Sequence, residues 1–162
     1  MAAVTSLLIG CARHEEGASI GISEWPYADA VEVRAFQFDV SDDQPGSLIW
    51  RGELTENRTP PLGAPLSKPQ IEKLRSIILH GGESKKPSLC YVPHHGFVFY
   101  DADSAPLGYI ELSFQCFSGF SRTKKQMSGE PPYPLDATYL TESGWGEMAA
   151  LFDELGISVS EE

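Results

Sequence analysis

The sequence predicts an α+β domain in which an antiparallel sheet of two hairpins is packed by two helices, in the order β-β-α-β-β-α. Four segments have the side-chain alternation or the aromatic and β-branched composition of strands: 31–38, 48–54, 89–100 and 107–116. Two further segments carry apolar residues at helical spacing, from Ser67 to the glycines at 81 and 82 and from Ser143 to Leu155. The chain has 162 residues, of which 41% are apolar, and this fits a single globular domain.

The first hairpin is predicted from the segment VEVRAFQF at 31–38, which alternates apolar and polar residues and changes phase at Ala35 and Phe36. Such a change is typical of a half-buried strand with a bulge. Turn-forming residues at 41–46 lead into the returning strand at 48–54. The following segment, 56–66, is rich in proline, which has no backbone N–H, and we expect a loop or short linker there.

The helices are predicted from their ends as well as from their periodicity. Ser67 and Gln70 have the spacing of a capping box, and a glycine at 81 or 82 supplies the stop. The final helix is expected to end at the glycine after Leu155. The segment 118–141 contains several glycines and prolines, and we expect a long irregular excursion.

Charge excludes some classes of partner. The formal net charge is -11, so most of the surface repels phosphate backbones, and nucleic acid is not an expected partner. No stretch approaches the roughly 20 apolar residues of a membrane span. The sequence contains no phosphate-binding glycine motif, and we expect no cofactor.

The acidic residues are concentrated in the last part of the chain, since residues 129–162 contain eight carboxylates and no lysine or arginine. They form either a solubilising face or a patch that attracts a basic protein partner, for which charge complementarity raises the association rate. The candidate contacts are four acids and two aromatic residues of the predicted excursion, namely Glu142, Glu147, Asp153, Glu154, Phe120 and Tyr133.

The N-terminal segment VTSLLIGC, which ends at Cys11, resembles the lipobox of bacterial lipoproteins, in which the cysteine becomes the lipidated first residue. Only ten residues precede Cys11 and none is basic, whereas an export signal has a positive start and a longer apolar core. Two interpretations stay open: a truncated signal, with the protein in the periplasm or envelope, or an ordinary arm in a cytoplasmic protein. We divide the chain into an arm or signal remnant at 1–30 and one α+β domain at 31–162.

Cys90 and Cys116 lie near the outer ends of the second predicted hairpin. If its turn is centred on residues 103–105, the two sulfur atoms are neighbours within the error of a strand boundary. In an oxidising compartment they would form a disulfide, and in cytosol they would stay reduced as small buried side chains.

The same hairpin carries a cluster of side chains that could bind a metal or catalyse a reaction, because His94 and His95 follow Cys90 closely and Cys116 lies opposite. Two thiolates and an imidazole are suitable ligands for zinc, but adjacent histidines on a strand point to opposite faces. A thiol enzyme would need either histidine to activate Cys90 and a third group, Glu111 of the neighbouring strand, to orient that histidine. The nucleophile would, however, lack a helix N-terminus and an adjoining glycine-rich turn.

The segment from Cys90 to Cys116, CYVPHHGFVFYDADSAPLGYIELSFQC, followed by LFDELGI at 151–157, resembles a group of small, mostly uncharacterised bacterial proteins. Many of that group look like envelope lipoproteins, and the resemblance implies structural roles for Cys90, His94, His95 and Cys116. By size and acidity the chain is also similar to immunity proteins, which neutralise bacterial toxins.

Three hypotheses about function follow. The first is a non-enzymatic bacterial binding protein, an immunity or inhibitor protein that neutralises a toxin through an acidic surface. The second is a disulfide-stapled envelope lipoprotein with a structural role. The third is a zinc- or thiol-dependent enzyme that uses Cys90, His94 and His95.

Overall fold

The computed structural model describes residues 25–40, 46–50, 52–80, 90–127, 136–138 and 140–159. Two long helices and one short helix are found there: α1 (Lys68–His80), α2 (Lys124–Met127) and α3 (Glu142–Glu154). A six-stranded antiparallel sheet has the spatial order β4-β1-β5-β6-β7-β8. Its strands in chain order are β1 (Glu32–Phe38), β4 (Arg58–Pro65), β5 (His95–Tyr100), β6 (Pro106–Ser113), β7 (Ser118–Thr123) and β8 (Asp136–Thr138). Two short strands, β2 (Ile49–Trp50) and β3 (Glu53–Leu54), pair with each other in a separate sheet.

The predicted α+β class, the antiparallel sheet and the two long helices are confirmed, but the predicted arrangement of the first hairpin is wrong. Strand β1 pairs with β4 and β5, whereas the segment 48–54 folds into the separate β2–β3 pair. The proline-rich segment expected to be a loop is therefore mostly strand β4. Proline is tolerated there because β4 lies at the edge of the sheet, where one side of the strand needs no ladder of N–H donors.

The expectation of an irregular excursion over 118–141 is also wrong for the residues that the structure describes. Residues 118–123 form β7, residues 124–127 form α2 and residues 136–138 form β8. Strand β6 is buried along most of its length, so the backbone groups on its outer side require a hydrogen-bonding partner, which β7 provides.

The sheet is covered on both faces. On one face it packs against α1 and α3, in a core whose largest members include Leu74, Phe97, Phe99, Met148 and Phe152. On the other face it packs against the β2–β3 segment, in a smaller core of Phe36, Phe38, Leu48, Ile49, Val98, Tyr100 and Tyr109. Adjacent residues of one strand are therefore both buried, one on each face.

Burial on both faces explains the phase change in β1. Ala35 belongs to the helix-side core and Phe36 to the smaller core, while the pairing of β1 with β5 continues without interruption from Glu32 to Gln37. The predicted bulge is not needed within that pairing. The irregularity lies in the pairing with β4, between the partners Thr59 and Ala64.

The start of α1 and the end of α3 involve the residues that the sequence predicts, while the glycines at 81 and 82, the predicted stop of α1, lie outside the described residues. At α1, the Gln70 carboxamide oxygen accepts hydrogen bonds from the backbone N–H and the hydroxyl of Ser67, at 2.9 and 2.8 Å. At α3, Thr141 caps the first turn, and the last turn closes through Gly156 in a left-handed conformation, with φ of 73°. None of the helices in the described part of the chain has the length and hydropathy of a membrane span.

The described chain before β1 is part of the packed body. The Tyr27 ring is stacked on Phe99, with 3.9 Å between ring centroids, and its hydroxyl donates to the carbonyl oxygens of Tyr109 and Arg122. Gly108 permits this position, because a Cβ at 108 would overlap the Tyr27 ring and the Arg122 carbonyl. The helix-side core thus includes residues before 31, and residues 1–24, with Cys11, lie outside the described part of the chain.

Candidate functional site

Cys90 and Cys116 form a disulfide, with their Cα atoms 5.5 Å apart. It joins the segment leading into β5 to the turn that follows β6. Nearby, the Ser113 hydroxyl accepts hydrogen bonds from the backbone N–H groups of Val92 and Cys116, at 3.4 and 3.3 Å. In this oxidised state neither cysteine offers a thiolate, either as a nucleophile or as a zinc ligand.

We expect removal of the bridge to lower the free energy of unfolding by about 3 kcal/mol. The double variant Cys90→Ala, Cys116→Ala tests this, because the bridge spans a sequence separation of 26 and restricts the unfolded chain. Urea unfolding of the wild type with and without reductant, beside the double variant, is the measurement. Reduced wild type should match the variant, and equal stability of the variant and the oxidised wild type would contradict the expectation.

The two histidines are hydrogen-bonded to different backbone carbonyl groups. His94 Nδ1 lies 3.2 Å from the carbonyl oxygen of Phe38, and His95 Nε2 lies 2.8 Å from that of Ser158. His95 is only 6% exposed and packs edge-on against Phe114 and Phe152. Burial lowers the pKa of His95, an effect that the bond to Ser158 partly opposes and the nearby His94 reinforces.

Both histidines line one groove, although adjacent residues of a strand are expected to face apart. This histidine groove crosses the end of the sheet, where β1 ends and β5 begins, and has a volume of about 580 Å³. Its walls are Gln37, Phe38, Asp39, Asn57, Thr59, His94, His95, Phe114, Gln115, Ser158 and Val159. Because His94 precedes the strand and the groove lies at the sheet's end, both rings reach it. The described residues contain no group of three or more His, Cys, Asp or Glu side chains arranged to hold a metal ion.

Glu111 is buried on the face of the sheet opposite to that of His95, with 4% of its surface exposed. Its carboxyl group accepts hydrogen bonds from the Ser47 hydroxyl at 2.6 Å, the Leu48 backbone N–H and the Tyr91 hydroxyl at 3.0 Å. Burial raises the pKa of Glu111, although these donors and Arg122 oppose the shift. The carboxyl group thereby fastens residues 47 and 48 to the sheet. It bonds to neither histidine, so it does not take the orienting role expected in a thiol enzyme.

Four predicted contact residues share the exposed side of α3, namely Glu142, Glu147, Asp153 and Glu154, which we call the acidic face. Lys73 of α1 donates to Glu154 at 2.7 Å, and this hydrogen bond lowers the pKa of Glu154. Glu147 accepts a hydrogen bond from Ser143 at 3.4 Å. Among the described residues, no cationic side chain pairs with the other two acids.

The aromatic contacts predicted in a loop have a different setting. Phe120 lies in β7 and packs edge-on against Tyr91, with 4.3 Å between ring centroids, and Tyr133 lies outside the described residues. Phe117 was not predicted from the sequence; its ring is 63% exposed and contacts Trp145 with 6.0 Å between centroids. The turn signal that could have revealed it is weak, because phenylalanine rarely adopts the positive φ of 47° found there.

None of the protein-family models, curated proteins and solved structures that we compared with the chain matches it. The resemblance to small bacterial envelope proteins, and the similarity to immunity proteins, therefore stay predictions from the sequence.

Proposed function

We propose that this protein is a non-enzymatic bacterial binding protein, an immunity or inhibitor protein that covers a basic surface of a protein toxin. The observation that carries the proposal is the acidic face of α3, together with the exposed ring of Phe117, which contacts Trp145 of the same helix. Two kinds of contact then contribute to binding. A desolvated aromatic anchor supplies affinity, while carboxylates at the rim control the association rate and the choice of partner.

The geometry of α3 supports a continuous face. At about 100° of rotation per residue, its four acids fall within an arc of roughly 140°, on the side away from the core. Only small residues separate them on that side, at Ser143, Gly146 and Ala150. A partner can therefore approach the backbone of the helix closely while its cations reach the carboxylates.

The anchor lies near the beginning of the same helix. The Phe117 ring contacts Trp145 in the first half of α3, and Trp145 is itself only 4% exposed. The indole N–H of Trp145 has no hydrogen-bond acceptor among the described residues, so an acceptor of the partner that reaches it beside the Phe117 ring would gain a hydrogen bond. An exposed phenylalanine at positive φ stabilises the isolated fold little, and this favours a role in contact with another molecule.

Charge reversal with a matched control tests the proposal. The triple variant Glu142→Lys, Glu147→Lys, Asp153→Lys should lower the association rate with the partner captured from the native host by about tenfold or more, most strongly at low salt. The control reverses three exposed carboxylates elsewhere, Glu53, Glu56 and Asp103, and changes the net charge equally. Equal rates for the two triple variants would contradict a role for the acidic face.

The anchor has its own arm of the same experiment. Phe117→Gly should raise the free energy of unfolding or leave it unchanged, because glycine accepts the positive φ. The same variant should dissociate from the partner faster than the wild type. Ser104→Gly is the matched control, since Ser104 also has a positive φ, of 61°, in an exposed turn. Loss of binding in both glycine variants would count against Phe117 as an anchor.

A second candidate function, a disulfide-stapled envelope lipoprotein of structural role, is favoured by the bridge between Cys90 and Cys116, because such bonds persist in oxidising compartments. Thiol labelling of protein isolated from its native host distinguishes the states. Labelling only after reduction supports an envelope protein, and labelling of both cysteines in the native protein contradicts it.

A further inference from the structure

The histidine groove has the chemistry of a small-molecule site, and no lining residue belongs to the acidic face or to the Phe117 anchor. Its volume of about 580 Å³ lies in the range of ligand pockets in proteins. The polar residues that line it come from five separate parts of the chain: the end of β1, the start of β4, the start of β5, the turn after β6 and the segment after α3. The fold thus brings distant polar groups together at one end of the sheet.

The hydrogen bonds of the two rings determine which of their nitrogens remain for a ligand. A carbonyl oxygen only accepts, so His94 Nδ1 donates to Phe38 and His95 Nε2 donates to Ser158. In the neutral rings the second nitrogen of each is then a hydrogen-bond acceptor. Burial lowers the pKa of His95, which favours the neutral ring, whose second nitrogen is an acceptor.

The remaining polar groups offer both acceptors and donors. Asp39 contributes a carboxylate, which only accepts when ionised, while Gln37, Asn57 and Gln115 contribute amides that both accept and donate. Among the described residues no lysine or arginine lines the groove, so an anionic ligand would meet the Asp39 charge without compensation from them. Phe114 and Val159 add an apolar part to the wall.

We propose that the histidine groove binds a neutral polyhydroxylated ligand, of the class of mono- and disaccharides. Each ligand hydroxyl is both a donor and an acceptor, and so matches the imidazole nitrogens, the carboxylate and the amides together. The C–H surfaces of a sugar ring match the apolar wall at Phe114 and Val159. The groove shares no residue with the acidic face or with Phe117, so this site goes beyond the proposed toxin-binding role.

A titration of isotope-labelled protein followed by NMR tests the proposal through the ring C–H signals of His94 and His95. The probes are glucose, N-acetylglucosamine and cellobiose, with glutamate as an anionic comparison and putrescine as a cationic one. We expect saturable shifts of both ring signals with at least one saccharide, at a dissociation constant of roughly 1 mM or tighter. Absence of saturation with every saccharide, or saturation with putrescine alone, would overturn the proposal.

Variants show whether the groove itself binds. Asn57→Ala and Asp39→Asn change exposed side chains and should leave the fold intact while weakening saccharide binding by about tenfold. Glu72→Gln is the control, because Glu72 is exposed and lines the separate cavity of about 480 Å³ beside Trp25 and α1. Equal weakening in Glu72→Gln, or unchanged binding in both groove variants, would place the saccharide elsewhere and overturn the assignment.

Discussion

Replacing Glu111 by alanine is expected to lower the free energy of unfolding by about 4 kcal/mol. The carboxyl group accepts hydrogen bonds from Ser47, Leu48 and Tyr91. In the variant the Leu48 N–H and the Tyr91 hydroxyl lose their acceptor, while the Ser47 hydroxyl keeps the Ile49 carbonyl oxygen at 3.0 Å. A buried donor without a partner destabilises by about 1–3 kcal/mol. The change also releases residues 47 and 48 from the sheet, and with them the Leu48 side chain that packs in the smaller core.

Urea unfolding of the wild type and Glu111→Ala measures this loss. Glu53→Ala is the control, because Glu53 is an exposed carboxylate of β3, and it should change stability by less than about 0.5 kcal/mol. If both alanine variants unfold at the same urea concentration as the wild type, the hydrogen bonds of Glu111 contribute nothing to the fold.

The same residue predicts a direction for the pH dependence. Its pKa is raised in the folded state by burial, above the ordinary value of 4.5, so between these two values the folded chain holds a proton that the unfolded chain has released. Stability contributed by Glu111 therefore falls as pH rises through that window. Glu111→Gln keeps an acceptor oxygen and cannot titrate, so its unfolding free energy should depend less on pH.

His95 acts in the opposite direction. Its pKa is lowered by burial, below the ordinary value of 6.5, so on acidification the unfolded chain gains a proton before the folded chain does. Stability contributed by His95 is present above 6.5 and is lost as pH falls through its folded pKa. Comparing wild type with Glu111→Gln removes this shared contribution, because His95 titrates in both proteins.

The helices could be predicted because their signals are local. The Ser67–Gln70 capping box, the apolar stripe of α1 and the glycine after Leu155 all act within a few residues of the element they define. The β5–β6 hairpin was predictable for the same reason, since its strands are joined by a short turn at residues 101–105.

The pairing of β1 could not be predicted from local signals. Its partner β4 follows a separate two-stranded sheet, and the prolines of β4 are acceptable only because that strand lies at the sheet edge. Edge position is a property of the whole sheet. Phe36 and Phe38 carried the relevant signal, because buried residues on the second face of β1 require a covering element.

The candidate sites, too, are partly visible in local sequence and partly assembled by the fold. Glu111 lies in the apolar run YIELSF, where a single acid indicates a buried and hydrogen-bonded carboxyl group, but its donors at 47, 48 and 91 are distant in sequence. The two histidines stand out in the sequence. The groove that they line also needs residues of β1, of β4 and of the segment after α3, which only the fold brings together.

Phe152→Ala is expected to lower the free energy of unfolding by about 4 kcal/mol, because this fully buried ring leaves a cavity that rigid neighbours fill poorly. The ring contacts His95, Phe97 and Phe114, at centroid distances of 5.1, 4.8 and 5.8 Å. It thereby joins α3 to both the sheet and the wall of the histidine groove. Urea unfolding measures the loss, with the exposed substitution Ala150→Ser on the same helix as the control.

A second measurement separates this packing role from general destabilisation. Phe152 is part of the apolar surroundings whose desolvating effect lowers the pKa of His95, so in folded Phe152→Ala that pKa should move up toward its ordinary value. NMR titration of the His95 ring under native conditions reports this shift, and Ala150→Ser should leave it unchanged. An unshifted His95 in a destabilised variant would mean that other groups, not Phe152, keep this ring desolvated.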